Sequence, residues 1–224
     1  MDASGPLLVA GALAGGYAVG CIPVAWLVVR REERRRAGVE RIDRSSPFAR
    51  PPGSAPPLRG ALQRSNPGTL DVLAVGGLRV AVVTVVLELL KGAAVGVGAR
   101  LYDDATWFTA LAIAGCVVGD AFPVGVRRGR RGVVPLVSGV WAAMPGIWAA
   151  GFLIAIPALL LAVLSGAAFE AVVVITVPLA FLLGTRDPGT LPAAAIIVAA
   201  IVGRSRLRRQ AREQAVVDVH AQVR

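Results

Sequence analysis

What most constrains this chain is a succession of long apolar runs that a water-soluble core of its size would not need. The first, Leu7 to Val29, holds 23 residues without a charged side chain. Further mostly apolar runs cover roughly 72–99, 105–123, 133–144, 146–164, 166–184 and 189–203. An α-helix rises about 1.5 Å per residue, so about 20 apolar residues cross a hydrocarbon core. The first, second, third, fifth and sixth runs are comfortable spans. The fourth and seventh are short, and must be re-entrant, packed inside or extended into the headgroups. Composition agrees, with 55% hydrophobic residues, only 17% charged and a mean hydropathy of +0.67. The pattern predicts an all-α polytopic membrane protein of about seven transmembrane helices. Residues 1–203 form its single transmembrane domain and 204–224 a basic tail. Asp2, and the lack of basic residues ahead of the first run, read as a span rather than a cleaved leader. Met144-Pro145-Gly146 predicts a break between the fourth and fifth spans, and Pro157 and Pro178 predict kinks.

Charge orients the runs. The net charge is +10, and of 24 basic residues only Lys91 is a lysine. The segment 30–64 carries ten arginines, Arg127–Arg131 four and the tail after Gly203 six, whereas the alternate loops hold only Arg100 and Arg186. Positive loops stay in the cytoplasm, which places the N-terminus outside and the C-terminus inside a cell membrane, as an odd number of spans requires. Residues 30–60, basic and then Pro- and Ser-rich, read as a mostly disordered cytoplasmic insertion lying on anionic lipids. The tail reads as a basic interfacial helix. No nucleic-acid motif accompanies the charge, and aromatic residues make up 5%. Cys21 and Cys116 lie inside apolar runs and read as small buried hydrophobes. His220 is the only histidine, which argues against Ser-His-Asp triads and most zinc sites. No metal or cofactor is expected.

Three groups of polar residues fall on the predicted cytoplasmic side. The first is Arg64-Ser65-Asn66-Pro67-Gly68-Thr69, ahead of the second span. Its turn chemistry suits backbone N–H groups curling around an anion, with a guanidinium alongside. The second is Glu88 with Lys91-Gly92, inside that span. An ionisable residue within a span is a functional-site hypothesis, although two residues three apart share a helix face and also pair with each other. The third, "GDAFPVGVRRGRRGVV" from Gly119 to Val134, sets four arginines among glycines at the mouth of a helix. Helix N-termini and guanidiniums both favour phosphate, but the arginines alone also satisfy the positive-inside rule.

In order, "SNPGT", "ELLKG", "VVGDAFP" and "RRGRRGVV" resemble the motifs of the bacterial acyl-phosphate-dependent glycerol-3-phosphate acyltransferases. The family pattern reads G-S-I-P-x-x-Y, G-S-G-N-P-G-A-T-N, D-x-x-K-G, G-H-x-F-P, G-G-K-G-V-A-T and H-R-x-N. Here stand Gly20 to Trp26, Gln63 to Asp71, Glu88 to Gly92, Gly119 to Pro123, Gly129 to Pro135 and Gly203 to Arg206. Asn66, Gly68, Lys91, Phe122, Pro123, Gly132 and Arg204 are kept. Cys21 stands for the first Ser, Arg64 for the Ser of G-S-G-N with Ser65 one step on, Asp120 for His, and Arg131 for Lys.

The resemblance implies a seven-span enzyme in which the sn-1 hydroxyl of glycerol 3-phosphate attacks an acyl phosphate, giving lysophosphatidic acid for phospholipid synthesis. Its substrate-binding residues would be Arg64, Asn66, Gly68, Lys91, Arg128, Arg131, Gly132 and Arg204. Ser65 and Asp120 are the candidate catalytic groups. Asp120 is either a base aimed at the hydroxyl or the fixed partner of an arginine. The replaced residues leave two other readings open: a catalytically altered paralogue that binds an anionic lipid or phosphate metabolite, and a small transporter or scaffold.

Overall fold

The computed structural model describes residues 4–43, 69–124, 133–154 except 148 and 152, and 169–222. All regular structure among them is helical. The helices are α1 (Ser4–Gly20), α2 (Val24–Asp43), α3 (Thr69–Tyr102), α4 (Thr106–Ala121), α5 (Val133–Ala143), α6 (Phe169–Thr185) and α7 (Leu191–Gln222), with a 3-10 turn at Pro188–Thr190 before α7. The all-α class read from the apolar runs holds.

Among the described residues, three stretches are long and apolar enough to cross a membrane: Gly5–Glu32, Gly77–Tyr102 and Pro188–Leu207. A bent pair, Val133–Ala143 with Pro145–Gly151, makes a fourth if it counts as one span. Its axis turns by 119° at the Met144-Pro145 break anticipated from sequence. The third and sixth expected spans are shorter apolar helices, Thr106–Ala121 and Ala171–Thr185. Over an 18-residue apolar stretch of each, only 22% of the first span and 44% of the second are buried inside the protein. The remaining apolar surface, including Leu7, Leu78 and Leu101, is what a bilayer solvates. Pro178 lies within α6, and Pro157 falls outside the described residues.

The first span is broken. Pro23 has no N–H to donate, so the ladder ends with Cys21 N–H on Tyr17 O (2.9 Å) and Ile22 N–H on Val19 O (3.1 Å). Val24 N–H turns to Ile22 O (2.9 Å), which leaves Gly20 O without its usual i+4 donor, and α2 starts with Leu27 N–H on Pro23 O. Beyond the apolar part α2 runs on to Asp43. Residues 30–43, expected to be largely without structure, are therefore helical; 44–60 lie outside the described residues. The run "RREERRR" is made of good helix formers, and Arg35 clasps Glu32 one turn earlier, Nε to Oε2 at 3.0 Å.

Glycine sets how closely the helices approach. Gly16 and Gly20 of α1 lie against the carbonyls of Ala112 and Cys116 on α4, while Gly115 and Gly119 of α4 lie against those of Leu13 and Tyr17. A Cβ at any of the four would overlap backbone. Two small-xxx-small stripes thus interlock, as helices pack where lipid removes the hydrophobic drive. Contacts ascend together along both helices, so α1 and α4 are parallel. Lys91 of α3 reaches Gly20, and Tyr102 stacks on Phe108 at 5.4 Å, so α3 runs antiparallel to both. Gly92 and Gly96 of α3 repeat the device against Pro135 and Gly139 of α5, which is parallel to α3. α4 is the centre of the bundle, buried without interruption from Phe108 to Val117.

Two further features frame the cluster described below. Inside α3, Gly77 takes φ 79°, a left-handed backbone that glycine alone enters freely, and it breaks the helix there. Val72 before the break and Val80 and Ala81 after it pack with Ala25 and Val29 of α2 into a second small core. At the other end of the chain, α7 is 32 residues long, or about 48 Å at about 1.5 Å per residue, against about 30 Å of hydrocarbon. Its basic second half extends past the apolar part.

Candidate functional site

Three buried charged residues, Glu88, Lys91 and Asp120, gather at one place. Lys91 sits on the buried face of α3, and its side chain is 4% exposed. Glu88 lies one turn earlier on the same face, with Lys91 Nζ 2.9 Å from its Oε2. Asp120, in the last turn of α4, places Oδ1 3.0 Å from the same nitrogen. Lys91 also donates to Gly20 O at 3.3 Å and to Ile22 O at 3.4 Å, the carbonyls at the α1–α2 break. The break at Pro23 is what makes Gly20 O available, since an unbroken helix would bond it to Val24.

Removing charges from water costs several kcal/mol per ion, roughly, unless partners replace the solvent. Here two carboxylates flank one ammonium, and the pairing lets all three stay buried. An ammonium has three protons to donate, and it meets two carboxylate oxygens and two carbonyls, so protein oxygens surround it.

The turn after α4 is held separately. Phe122 N–H caps Val118 O at 2.8 Å, and the Tyr17 hydroxyl donates to Phe122 O at 3.0 Å. Tyr17 is thus a strap from α1 to the Asp120-Ala121-Phe122-Pro123 turn. Beside it, Gly92 approaches Pro135 and Ser138 so closely that a side chain would collide with both. Ser138 turns its hydroxyl back to Val134 O and Pro135 O. The residues flanking segment 125–132 therefore stand at the Lys91 end of the bundle on both sides.

Of the expected site residues, the structure brings Lys91 and Asp120 together. The pairing of Glu88 with Lys91 is present, but it is half of the arrangement. Asp120 is ion-paired with Lys91, where an arginine was the expected partner. Arg204 is buried on α7, a helix packed on α4. Arg64, Ser65, Asn66, Gly68, Arg128, Arg131 and Gly132 lie outside the described residues. Sequence reading missed the Gly20 and Ile22 carbonyls and the Tyr17 strap. The signal for the carbonyls was Pro23, which inside an apolar run always frees an acceptor three or four residues back. Cys116 is buried in the core and Cys21 half-buried at the break, and both are free thiols.

Among comparisons with known proteins, no curated protein and no solved structure matches. The family model for glycerol-3-phosphate acyltransferase matches residues 61–213. That stretch contains the Asn-Pro-Gly turn, Glu88 and Lys91, the Asp120 turn, the arginine-glycine segment and Arg204, and it leaves out α1 and α2. With about two thirds of its length matched, and with apolar helices fit for a membrane, the chain belongs to the glycerol-3-phosphate acyltransferase family, the membrane acyltransferases of phospholipid synthesis.

Proposed function

We propose that the acyl donor is an acyl phosphate and the acceptor the sn-1 hydroxyl of glycerol 3-phosphate, with lysophosphatidic acid as product. The hydroxyl oxygen bonds to the acyl carbon, the carbon–oxygen bond to phosphate breaks, and phosphate leaves with the electron pair and the hydroxyl proton. Both substrates are anions and the leaving group is good. The protein's tasks are therefore to hold two phosphates in attacking geometry and to stabilise developing charge. Arg64, Arg128, Arg131 and Arg204 supply guanidiniums for this. Ser65, Asn66, Gly68 and Gly132 supply hydroxyl, amide and backbone donors.

The observation that carries the reading is the family match over residues 61–213, a stretch that contains all of these residues. The reading is supported by the end of α4 and the start of α5, which both lie at the Lys91 end of the bundle. The arginine distribution supports a cytoplasmic location for that end of a plasma-membrane protein with seven spans and its N-terminus outside. Anionic lipid headgroups are the natural partners of the basic half of α2 and of the tail.

The test is acyl transfer to labelled glycerol 3-phosphate by the purified protein in lipid, with palmitoyl phosphate, an acyl thioester of coenzyme A and an acyl carrier protein thioester compared as donors. Turnover from palmitoyl phosphate alone, cut about 10–100-fold by Arg131→Ala, is the expected result. Turnover only from a thioester sinks the donor assignment.

A second reading draws on Asp120. It replaces the histidine of the family pattern, and Lys91 already holds one of its oxygens. A carboxylate so engaged is a poor base, which favours a paralogue that binds phosphate compounds without turning them over. Binding of glycerol 3-phosphate by well-folded protein, with no transfer from any donor, would establish it.

A further inference from the structure

We propose that Lys91 is a positioning residue, not a phosphate ligand: its ammonium pins the α1–α2 break and the end of α4 to α3. Kept intact, that pin sets where the arginine-glycine segment leaves the bundle. Kinetically the proposal rests on the acyltransferase reading; structurally it does not.

Four protein oxygens lie within 3.4 Å of Lys91 Nζ, from three separate parts of the chain. A substrate phosphate could take the ammonium only by displacing Glu88 or Asp120 from it and by entering beside their negative charge. Such an exchange is costly in a low-dielectric interior. The ammonium also has geometric work at the break. Gly20 O and Ile22 O belong to backbone that Pro23 has removed from the helical ladder, and Lys91 is a donor to both. Through Asp120 the same nitrogen fixes the turn that Tyr17 straps from the other side. Lys91 thus acts on the reaction through Asp120 and the Phe122-Pro123 turn.

Cys21 lies between the two pinned carbonyls, and it reports on the break directly. In a Cys116→Ala background it is the only thiol, and its rate of labelling by N-ethylmaleimide measures how often the break opens. Lys91→Gln is expected to speed labelling about tenfold or more, the factor that about 1.4 kcal/mol of lost local stability gives. The variant Glu88→Gln/Lys91→Gln/Asp120→Asn keeps hydrogen-bonding groups and removes every charge. It is expected to bring labelling back toward the starting rate, because neither carboxylate is left facing the site of the lost ammonium.

In the transfer assay, Lys91→Gln is expected to lower kcat while KM for glycerol 3-phosphate stays within about threefold, whereas loss of a phosphate ligand raises KM about 10–100-fold. A raised KM that persists in the triple variant overturns the proposal, and so does labelling unchanged in Lys91→Gln. If Lys91→Gln does not fold, the triple variant decides: restored folding and slow labelling support the pin, and failure of both refutes it. A wild-type protein inactive with palmitoyl phosphate would refute the donor assignment alone, since the labelling experiment needs no substrate.

Discussion

The contact of α1 with the rest of the bundle is made in two ways within two helical turns. At Gly16 and Gly20 backbone meets the backbone of α4, with no side chain between. One step further, at Gly20 O and Ile22 O, the same helix ends on a buried ammonium. Glycine packing fixes distance and is indifferent to sliding by one stripe. The charged junction fixes position, because one nitrogen must reach four oxygens at once. Where the chain needs only cohesion it uses small residues, and where it must register three elements against one another it uses charge.

The largest effect expected from breaking this arrangement is at Lys91. Lys91→Met leaves Glu88 and Asp120 buried without their shared cation, and removing one partner of a buried pair costs about 3–5 kcal/mol. Denaturation of the purified protein in mild detergent measures it. A loss below about 1 kcal/mol would mean that water reaches the cluster and that the junction does not set register. Asp120→Asn is milder, because Lys91 keeps Glu88 and the amide oxygen still accepts. A hydrogen bond to a charged group contributes about 1.5–3 kcal/mol, which bounds the loss from above. If the Asp120 change proves the more damaging of the two, the cluster is organised around the carboxylate and not the ammonium.

How much of this was legible beforehand follows from what periodicity encodes. Apolar runs identify the helices because lipid and protein interior ask for the same side chains. For the same reason they do not say which helices touch. Glu88 and Lys91 announce their pairing through a spacing of three. Asp120 lies 29 residues away from Lys91, and no local pattern joins them. The paired stripes Gly16-Gly20 and Gly115-Gly119 are visible in the sequence, but only the fold shows that each is the other's partner. Pro23 was visible too. Counting Leu7 to Val29 as one uninterrupted span hid its consequence, the freed carbonyl that completes the junction. Most of the anion-binding residues expected from the resemblance fall in segments outside the described residues, and their assignment rests on the family motifs.

The glycine half of the comparison is tested at two adjacent positions. Gly16→Ala would drive a methyl into the Ala112 carbonyl, which belongs to helix backbone and cannot swing away. Forcing α1 and α4 apart is overpacking, with an expected loss of about 1–3 kcal/mol in the same denaturation experiment.

Gly15, next to it, faces the other way, and a Cβ there meets nothing within 4 Å. It borders an open apolar groove of about 460 Å³ between α1, α3 and α4. Alanine costs less backbone entropy than glycine in a helix, so Gly15→Ala is expected to stabilise the protein by about 0.5–1 kcal/mol. The two variants differ by one methyl group on consecutive residues, with the same propensity gain in each. The difference between their stabilities isolates the steric contribution of the α1–α4 contact. Equal effects would show that α1 is not held against α4 at this point, and would shift the weight of locating α1 toward the charged junction.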